Sequence, residues 1–281
     1  MAIATLDQYI AAAKQRIRIC KTASRTTVAA IPFSVFDQVG NPGAGVLAGT
    51  NTVNGGVVPT DATAGCPDIA YTSGVGYLSK VEFGSSVACR LAIFDMIVKM
   101  GAISYAAGTT TPTADTQPAI SQRCPDYPGS GIVFGSRNEL WIEVSTAFAT
   151  GNNWQVQVTY KNQAGTAGRT TVISAAQAAA ALTQGKMFQL ALQSGDTGVQ
   201  RIESVIVTNG STAMTAGAFN VLILRPIYTS MRCMTANDGD VHDMFKTGMP
   251  VVYPDSALIL QVSADSTASG IPEVTMEIAS A

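Results

Sequence analysis

The sequence predicts an all-β chain: an antiparallel β-sandwich or jelly-roll-like fold with long loops and a short N-terminal helix. Short apolar runs of strand length recur along the chain, about ten to thirteen of them, with turns rich in Gly, Pro and Asn between them. The helical pattern stands at the start and does not alternate with strands, which argues against an α/β fold. With 281 residues and a hydrophobic share of 47%, the chain has enough apolar mass for a substantial core.

Residues 1–25 are the first predicted element, a helical arm. Thr5 and Gln8 have the spacing of a capping box at its start. A 4-3-4-3 spacing puts an apolar stripe on one helical face, made of Leu6, Ile10, Ala13, Ile17 and Cys20. Five Lys and Arg residues against Asp7 give the segment a net charge of +4. Either the stripe packs on its own domain, or the arm docks on a neighbouring subunit through Leu6, Ile10, Ile17, Arg16 and Arg18.

The remainder, residues 26–281, is predicted to be one β-sandwich domain. Its predicted strands are 26–36, two or three strands between 77 and 101, 139–148, 154–160, 169–173, 186–192, 202–208, 219–228, 251–254, 257–264 and 274–280. A short helix is predicted at 175–182. The connections at 37–76 and 106–131 are unusually long for a compact domain. We interpret them as extended loops that contain unrecognised short strands or gain order on a neighbouring subunit.

The stretch NNWQVQVTYKNQAGTAGRTTV, residues 152–172, is either a β-hairpin or a phosphate-binding loop. Apolar and polar residues alternate strictly from 154 to 160, the period-two pattern of a half-buried antiparallel strand. A P-loop needs G-x-x-x-x-G-K-[ST] followed by a helix. Here Arg169 follows Gly168, Gln163 stands five positions before that glycine, and the flanking element is a strand. The stretch is therefore predicted to be a hairpin without a nucleotide.

The single histidine, His242, is the first residue to test for catalysis. It lies in NDGDVHD, residues 237–243, among Asp238, Asp240 and Asp243. A Ser-His-Asp hydrolase would use it as a general base, but no G-x-S-x-G motif accompanies it. A calcium loop is the other alternative, although the carboxylate spacing does not match an EF-hand. We interpret 237–243 as an exposed acidic turn, and we expect the chain not to be an enzyme and to use no cofactor.

Five cysteines are present, and none has the C-x-x-C or zinc-ligand spacing. They are Cys20, Cys66, Cys89, Cys124 and Cys233. In a chain made in a reducing compartment we interpret them mostly as buried thiols. The alternative is a disulfide, within or between subunits, that forms after release into an oxidising environment. The odd count leaves at least one thiol unpaired within the chain, and the sequence does not indicate which thiols would pair.

Charge and hydropathy argue against several partner classes. Only 13% of the residues are charged and the net charge is −2, which argues against nucleic-acid binding by the whole domain. The start lacks the basic and apolar regions of a signal peptide, and no apolar run is long enough for a membrane span. We therefore expect a protein that is made in the cytoplasm and stays soluble. The low charge is explained either by a surface that is covered in an assembly or by small hydroxyl residues that confer solubility.

Several stretches resemble structural proteins of tailed-bacteriophage virions, of the kind encoded near head genes. They are KTASRTTVAAIPFSVFDQVGNPGAG (21–45), LWIEVSTAF (140–148), VTYKNQAGTAGRTT (158–171), and LALQSGDTGVQRIESVIVTNG with FNVLILRPI (190–227). Together they cover a little under a third of the chain. The resemblance implies a virion component and supplies no site residues.

We accordingly expect a head-associated decoration or cement protein that stabilises the shell through subunit contacts. Its partners would be capsid or other virion proteins and further copies of itself, and it would be located in the virion after synthesis in the host cytoplasm. A neck, collar or tail component is the alternative within the same class. A carbohydrate- or receptor-binding β-sandwich is the alternative from another class. It needs clustered aromatic residues, whereas Trp141 and Trp154 are interpreted as packing residues.

Overall fold

The structure is a computed structural model that describes residues 3, 5–49, 56–72, 74–112, 120, 123 and 135–280. Its helices are α1 Leu6–Ala11 and α2 Met244–Thr247, with one turn of 3-10 helix at Ala179–Ala181. Its strands are β1 Ala13–Lys21, β2 Pro32–Ser34, β3 Gly40–Asn41, β4 Gly76–Ser85, β5 Cys89–Ser104, β6 Gly108–Thr110, β7 Glu139–Ala149, β8 Gln155–Asn162, β9 Arg169–Thr170, β10 Met187–Leu190, β11 Val199–Thr208, β12 Ala216–Thr229, β13 Asp238–His242, β14 Val251–Val252, β15 Leu258–Ala264 and β16 Pro272–Ser280. The predicted antiparallel β-sandwich class, with a short N-terminal helix, is confirmed. No helix in the described ranges is long and apolar enough to cross a membrane.

The chain divides into two compact units. Unit 1 contains residues 1–46, 59–95 and 226–281, and unit 2 contains residues 47–58 and 96–225. Most of unit 2 is therefore an insertion in the sequence of unit 1, which the chain leaves along β5 and re-enters along β12. The sequence predicts one domain instead. The sequence has no linker or turn pattern at the boundaries within β5 and β12, because the chain passes through both as continuous strands.

Unit 1 contains a sheet with the strand order β13-β4-β16-β1-β3, in which β14 also pairs with β4. A second set of antiparallel pairs joins β15 to β2 and to the first half of β5. The core of unit 1 is mainly aliphatic. Its most deeply buried side chains include Leu78, Val81, Val262, Met276 and Ile278.

The N-terminal segment corrects the sequence prediction of a helical arm over residues 1–25. Only Leu6–Ala11 is helical, and Ala13–Lys21 is strand β1, which pairs along its length with β16. Ile17 and Ile19 are buried in unit 1, and the arginines between and beside them are exposed. The strand is favoured because it buries both isoleucines in the sheet. That gain outweighs local helix preferences of about 0.7 kcal/mol per residue or less.

Unit 2 is also antiparallel, with an aromatic centre. β7 pairs with β10 and β12, β12 lies beside β5, and a further sheet has the order β6-β11-β8-β9. The Trp154 ring lies edge-on to Phe148 and Phe219, with 5.1 Å between ring centroids in each pair. Its Nε1–H donates to the carbonyl oxygen of Tyr105 at 3.2 Å. The indole is therefore fully buried with its polar atom satisfied.

The hairpin predicted at 152–172 is confirmed. β8 and β9 pair antiparallel, and the predicted inward side chains are fully buried: Trp154, Val156, Val158 and Tyr160. The turn is organised by Asn162, whose Oδ1 accepts two backbone N–H groups of the turn at 3.1 and 2.9 Å. Arg169 is used within the fold, because its Nε–H donates to Asp196 Oδ2 at 2.9 Å. The glycines of this stretch therefore serve a turn.

Other predicted elements are present with shifted ends. Of the predicted strand 26–36 only β2 remains, and 175–182 contains a single 3-10 turn. Between 77 and 101 there are two strands, β4 and β5, with the break after Ser85. Strands β1, β3, β6 and β13 were not predicted. Much of the 106–131 connection, including Cys124, lies outside the described residues.

Candidate subunit-contact surface

Helix α1 presents its apolar side chains to solvent. Its start has the predicted capping box: the Gln8 N–H donates to Thr5 Oγ1 at 3.2 Å, and the Thr5 N–H donates to Gln8 Oε1 at 3.1 Å. Leu6 and Ile10 are 62% and 65% exposed, and no residue of α1 is buried. A helix of 6 residues is not stable in isolation, so α1 depends on contacts outside itself.

Two polar contacts hold α1 on unit 1. The Tyr9 hydroxyl donates to Glu277 Oε1 of β16 at 3.0 Å. The Lys14 ammonium donates to the last carbonyl groups of the helix, with the Tyr9 oxygen nearest at 2.9 Å, and lies 4.7 Å from the centre of the Tyr9 ring. Burial raises the pKa of Tyr9, so the phenol remains a donor at neutral pH. These polar anchors leave Leu6 and Ile10 available to a partner.

The other predicted contact residues belong to the sheet of unit 1. Ile17 is a core residue with 4% exposure, so the prediction that it contacts a partner is wrong. Arg16 Nη2 lies 3.1 Å from Glu82 Oε2, and Arg18 Nη2 lies 2.6 Å from Glu273 Oε1. Both guanidinium groups are exposed but paired within the unit. They therefore offer an acidic partner less attraction than the net charge of the segment suggests.

A second exposed apolar region, which we call the rim, covers residues 231–245 and includes β13 and the start of α2. Its exposed apolar side chains are Met231, Met234, Val241 and Phe245. Phe245 is the most exposed of them, at 86%. Among the described strands β13 pairs with β4 alone, so it is an edge strand with one side of its backbone open to pairing. The rim was not predicted from the sequence, and the one signal that could have indicated it is the recurrence of Met, Val and Phe among turn residues.

The single histidine is buried, which corrects the prediction of an exposed turn. His242 lies at the end of β13, with Nδ1 at 2.6 Å from the Tyr228 hydroxyl and Nε2 at 3.1 Å from Asp240 Oδ2. One tautomer satisfies both contacts: Nε2–H donates to Asp240, and Nδ1 accepts from Tyr228. Burial raises the pKa of Tyr228, which keeps the phenol a donor. Both ring nitrogens are thus used by the fold, whereas a general base needs one for the substrate or nucleophile.

The carboxylates near His242 accept hydrogen bonds from the local backbone. Asp238 and Asp240 each accept the N–H of the residue that follows, at 2.8 and 2.7 Å. Asp243 caps α2 and accepts the N–H groups two and three residues further on, at 3.1 and 3.2 Å. Across the described part of the chain, no group of three or more His, Cys, Asp or Glu residues could hold a metal ion. These carboxylates therefore stabilise β13 and α2 locally.

A shallow open groove of about 520 Å³ lies on unit 1 beside the rim, between residues of β4, β13 and β16. At Gly239 the backbones of β13 and β4 lie close together, so a Cβ at this position would lie 2.4 Å from the Phe83 carbonyl oxygen. Two of its carboxylates, Glu82 and Glu273, are the partners of the exposed arginines of β1. A hydrogen bond from Lys80 lowers the pKa of Glu82 and keeps it ionised. The surface of unit 1 beside the rim is therefore concave.

Four cysteines lie in the described residues, and all four are free thiols. Cys20 is partly buried on β1, and Cys66, Cys89 and Cys233 are buried. Burial raises the pKa of Cys89 to about 11 and also raises the pKa of Cys233. The raised pKa values keep these two thiols mostly protonated at neutral pH, so they react slowly there. Cys124 lies outside the described residues.

Neither tryptophan forms an exposed platform. Trp154 is fully buried, and Trp141 is 8% exposed, with its Nε1–H donating to Glu139 Oε2 at 2.7 Å. Carbohydrate-binding sites commonly stack sugar rings on exposed aromatic faces, and these two indoles are used in packing instead.

Comparison with known proteins found no matching family model and no matching curated protein. Among solved structures, the chain has weak similarity to the infectious bursal disease virus VP2 subviral particle, with 8% identity over 96% of this chain and 80% of that chain and a TM-score of 0.21. A structure of the Gt strain of infectious bursal disease virus is similar at 8% identity over 96% and 81% of the two chains, with a TM-score of 0.17. At these TM-scores the similarity carries no argument about fold or function.

Proposed function

We propose that the chain is a structural component of a bacteriophage particle, a head-associated decoration or cement protein that contacts other virion subunits through unit 1. The distribution of exposed apolar side chains carries the proposal. Of the 13 large hydrophobic residues exposed in the described part of the chain, 10 lie in unit 1. They are Leu6, Ile10, Val28, Val39, Val46, Met231, Met234, Val241, Phe245 and Ile271.

Covering these side chains supplies binding free energy. Apolar surface removed from water contributes about 25 cal/mol per Å². Leu6 and Ile10 are one helical turn apart on α1, so they form one small apolar face. The low charge of the chain, 13% of residues, limits the cost of removing charged groups from water at an interface.

Two further observations support this class of function. The edge strand β13 has an open side where a strand from another subunit can add. The sequence resemblance to virion proteins of tailed bacteriophages favours the same role. In this proposal the partners are capsid or other virion proteins and further copies of the chain. The protein is made in the host cytoplasm, ends in the virion, and performs no catalytic step.

The α1 contact is tested with particles that lack the protein. The double variant Leu6→Ser, Ile10→Ser is expected to bind such particles about a hundredfold or more weakly than the wild type, because the two lost apolar contacts are worth about 1.5 kcal/mol or more each. Purified full-length protein is mixed with the particles and sedimented, and the bound copies are counted by quantitative mass spectrometry. Deleting residues 1–25 is unsuitable here, because it would remove β1 from the sheet.

Val172→Ser is the matched control, since Val172 is exposed but lies in unit 2. It is expected to bind like the wild type. Wild-type occupancy by the double variant would contradict the α1 contact, whereas absence of the wild-type chain from purified particles would contradict the function itself. The number of copies per particle separates a decoration protein, present in many copies, from a neck, collar or tail component, present in few.

A further inference from the structure

Cys89 and Cys233 lie opposite each other in unit 1, although about half of the chain separates them in sequence. Cys89 is the first residue of β5, and Cys233 comes four positions after the end of β12. The two residues form an antiparallel β-bridge, in which the Cys233 N–H donates to the Cys89 carbonyl oxygen at 2.8 Å.

The backbone spacing of this pair suits a covalent bond. Directly opposed residues on antiparallel strands have Cα atoms about 4.5–5.5 Å apart and side chains on the same face. Disulfides join Cα atoms that are about 4.4–6.8 Å apart. The Cα spacing of this pair therefore suits a disulfide, and its Cβ atoms, about 4.5–5.5 Å apart in an opposed pair, must approach to about 3.5–4.5 Å for the bond to form.

Both thiols are in the same apolar cluster of unit 1, with exposures of 0% for Cys89 and 4% for Cys233. Burial raises the pKa of Cys89 to about 11. A hydrogen bond with Ser85 acts to lower this pKa, and the charge of Cys233 acts to raise it. This effect of the Cys233 charge on the titration of Cys89 is expected for two side chains of one β-bridge. Cys20 and Cys66 lie near Lys21 instead, because both interact electrostatically with its ammonium group.

We propose that Cys89 and Cys233 form a reversible disulfide when the protein meets an oxidising environment. The oxidant is a low-molecular-weight disulfide such as oxidised glutathione. The Cys233 thiolate, the less buried of the two, attacks it and releases one glutathione thiolate. The Cys89 thiolate then attacks the Cys233 sulfur of the mixed disulfide and releases the second. The protein loses two protons and two electrons, and oxidised glutathione is reduced to two thiols.

The bond would join the two ends of the insertion that forms most of unit 2. Cys89 lies shortly before the chain enters residues 96–225, and Cys233 lies shortly after it returns. The closed loop is long, and a cross-link over a long loop removes much conformational entropy from the unfolded chain. Cys233 also lies between Met231 and Met234, so the bond would tie the start of the rim to β5. This inference does not rest on the proposed function.

The test uses the folded full-length protein equilibrated with oxidised glutathione. Intact mass is expected to fall by two hydrogens, and peptide mapping is expected to recover a Cys89–Cys233 linked peptide that reductant releases. The oxidised form is expected to unfold at higher urea concentration than the reduced form. Because both thiols have raised pKa values, the rate is expected to rise about tenfold per pH unit above neutrality.

Cys233→Ala and Cys20→Ala are the matched variants. Cys233→Ala should lose the mass change, whereas Cys20→Ala should keep it. A link that maps to other cysteines, a stable glutathione adduct without a link, or unmodified Cys89 and Cys233 would each overturn the inference. The linked peptide is read from the wild type, so the inference stays testable if a variant fails to fold.

Discussion

Unit 1 and unit 2 are both antiparallel β structures, but they place their apolar side chains differently. In unit 2 the large side chains turn inward, and the exposed ones among the described residues are Val57, Val172 and Ile173. Unit 1 has an aliphatic core and leaves 10 large apolar residues in solvent. The two units therefore differ in how many of their large apolar side chains remain exposed to solvent. The difference indicates which unit has apolar surface left for partners.

The Asp196 network of unit 2 and the ion pairs of β1 in unit 1 differ in exposure, although unit 1 also has a largely buried pair between Arg25 and Asp37. In unit 2 the side chain of Asp196 is 3% exposed and accepts hydrogen bonds from Tyr160, Asn162 and Arg169 at 2.6, 2.7 and 2.9 Å. In unit 1 the ion pairs of β1 are exposed, so water and salt screen them. A buried polar network positions side chains and contributes to stability, whereas the exposed pairs contribute little.

The largest expected effect tests the aromatic centre of unit 2. Trp154→Ala removes two edge-on ring contacts and leaves a cavity, so it is expected to lower the free energy of unfolding by about 3–5 kcal/mol. Urea unfolding is followed by far-UV circular dichroism and by the fluorescence of Trp141, which also lies in unit 2. Phe245→Ala, in the exposed rim of unit 1, should change stability by less than about 0.5 kcal/mol. Equal losses in the two variants would remove the contrast between the units.

The second prediction concerns pH. Burial acts to raise the pKa of Asp196, but hydrogen bonds from Arg169, Tyr160 and Asn162 outweigh it, and the pKa lies below its ordinary value. Such a carboxylate stabilises the fold above its unfolded pKa of about 3.9, and the contribution is lost as pH falls through the folded value. Asp196→Asn is expected to cost about 1.5–3 kcal/mol near pH 7, and the difference from wild type should shrink below about pH 4.

This pH dependence is measured as urea midpoints near pH 7 and near pH 3. Asp68→Asn is the control, because it removes a carboxylate of the same sign from the exposed surface of unit 1. A difference between Asp196→Asn and wild type that stays constant down to about pH 3 would show that the charge of Asp196 does not matter.

The smallest expected effect is at the surface of unit 1. Arg18→Gln breaks the ion pair with Glu273. The Arg18 side chain is 53% exposed and the Glu273 side chain is 48% exposed. The expected loss is below about 1 kcal/mol, and added salt of about 0.5 M should reduce it further. Arg16→Gln serves as a comparison with a similar exposed pair. A salt-independent loss well above about 1 kcal/mol would mean that the charges of β1 are structural in the way Asp196 is.

Strands with one buried and one exposed face were predicted from the sequence with small errors at their ends. β8 was predicted at 154–160 because alternation of apolar and polar residues is visible within a single strand, whereas β7, whose residues 140–145 are all buried, was predicted at 139–148 from its apolar run. β1 was assigned to a helix because Leu6, Ile10 and Ile17 fit a helical period, while Ile17 and Ile19 fit a strand period. A local pattern cannot choose between the two periods. The choice depends on β16, which lies at the other end of the chain.

The candidate contact surface was predicted only in part. The sequence singled out Leu6 and Ile10, and the structure leaves both exposed, so their contact with a partner stays a prediction. It also singled out Ile17, which the sheet buries. The rim was missed because an edge strand with few apolar residues has no strong period. The burial of His242 was missed because its partner Tyr228 belongs to another strand.

By itself, the sequence determined the antiparallel β class, the hairpin around 152–172 and the capped start of α1, because each is encoded by neighbouring residues. Only the tertiary structure decided that the chain forms two units, that Ile17 is core, and that Cys89 meets Cys233. These outcomes depend on pairing between distant segments. Such pairing is set by the burial that the whole chain can achieve, and no local pattern contains it.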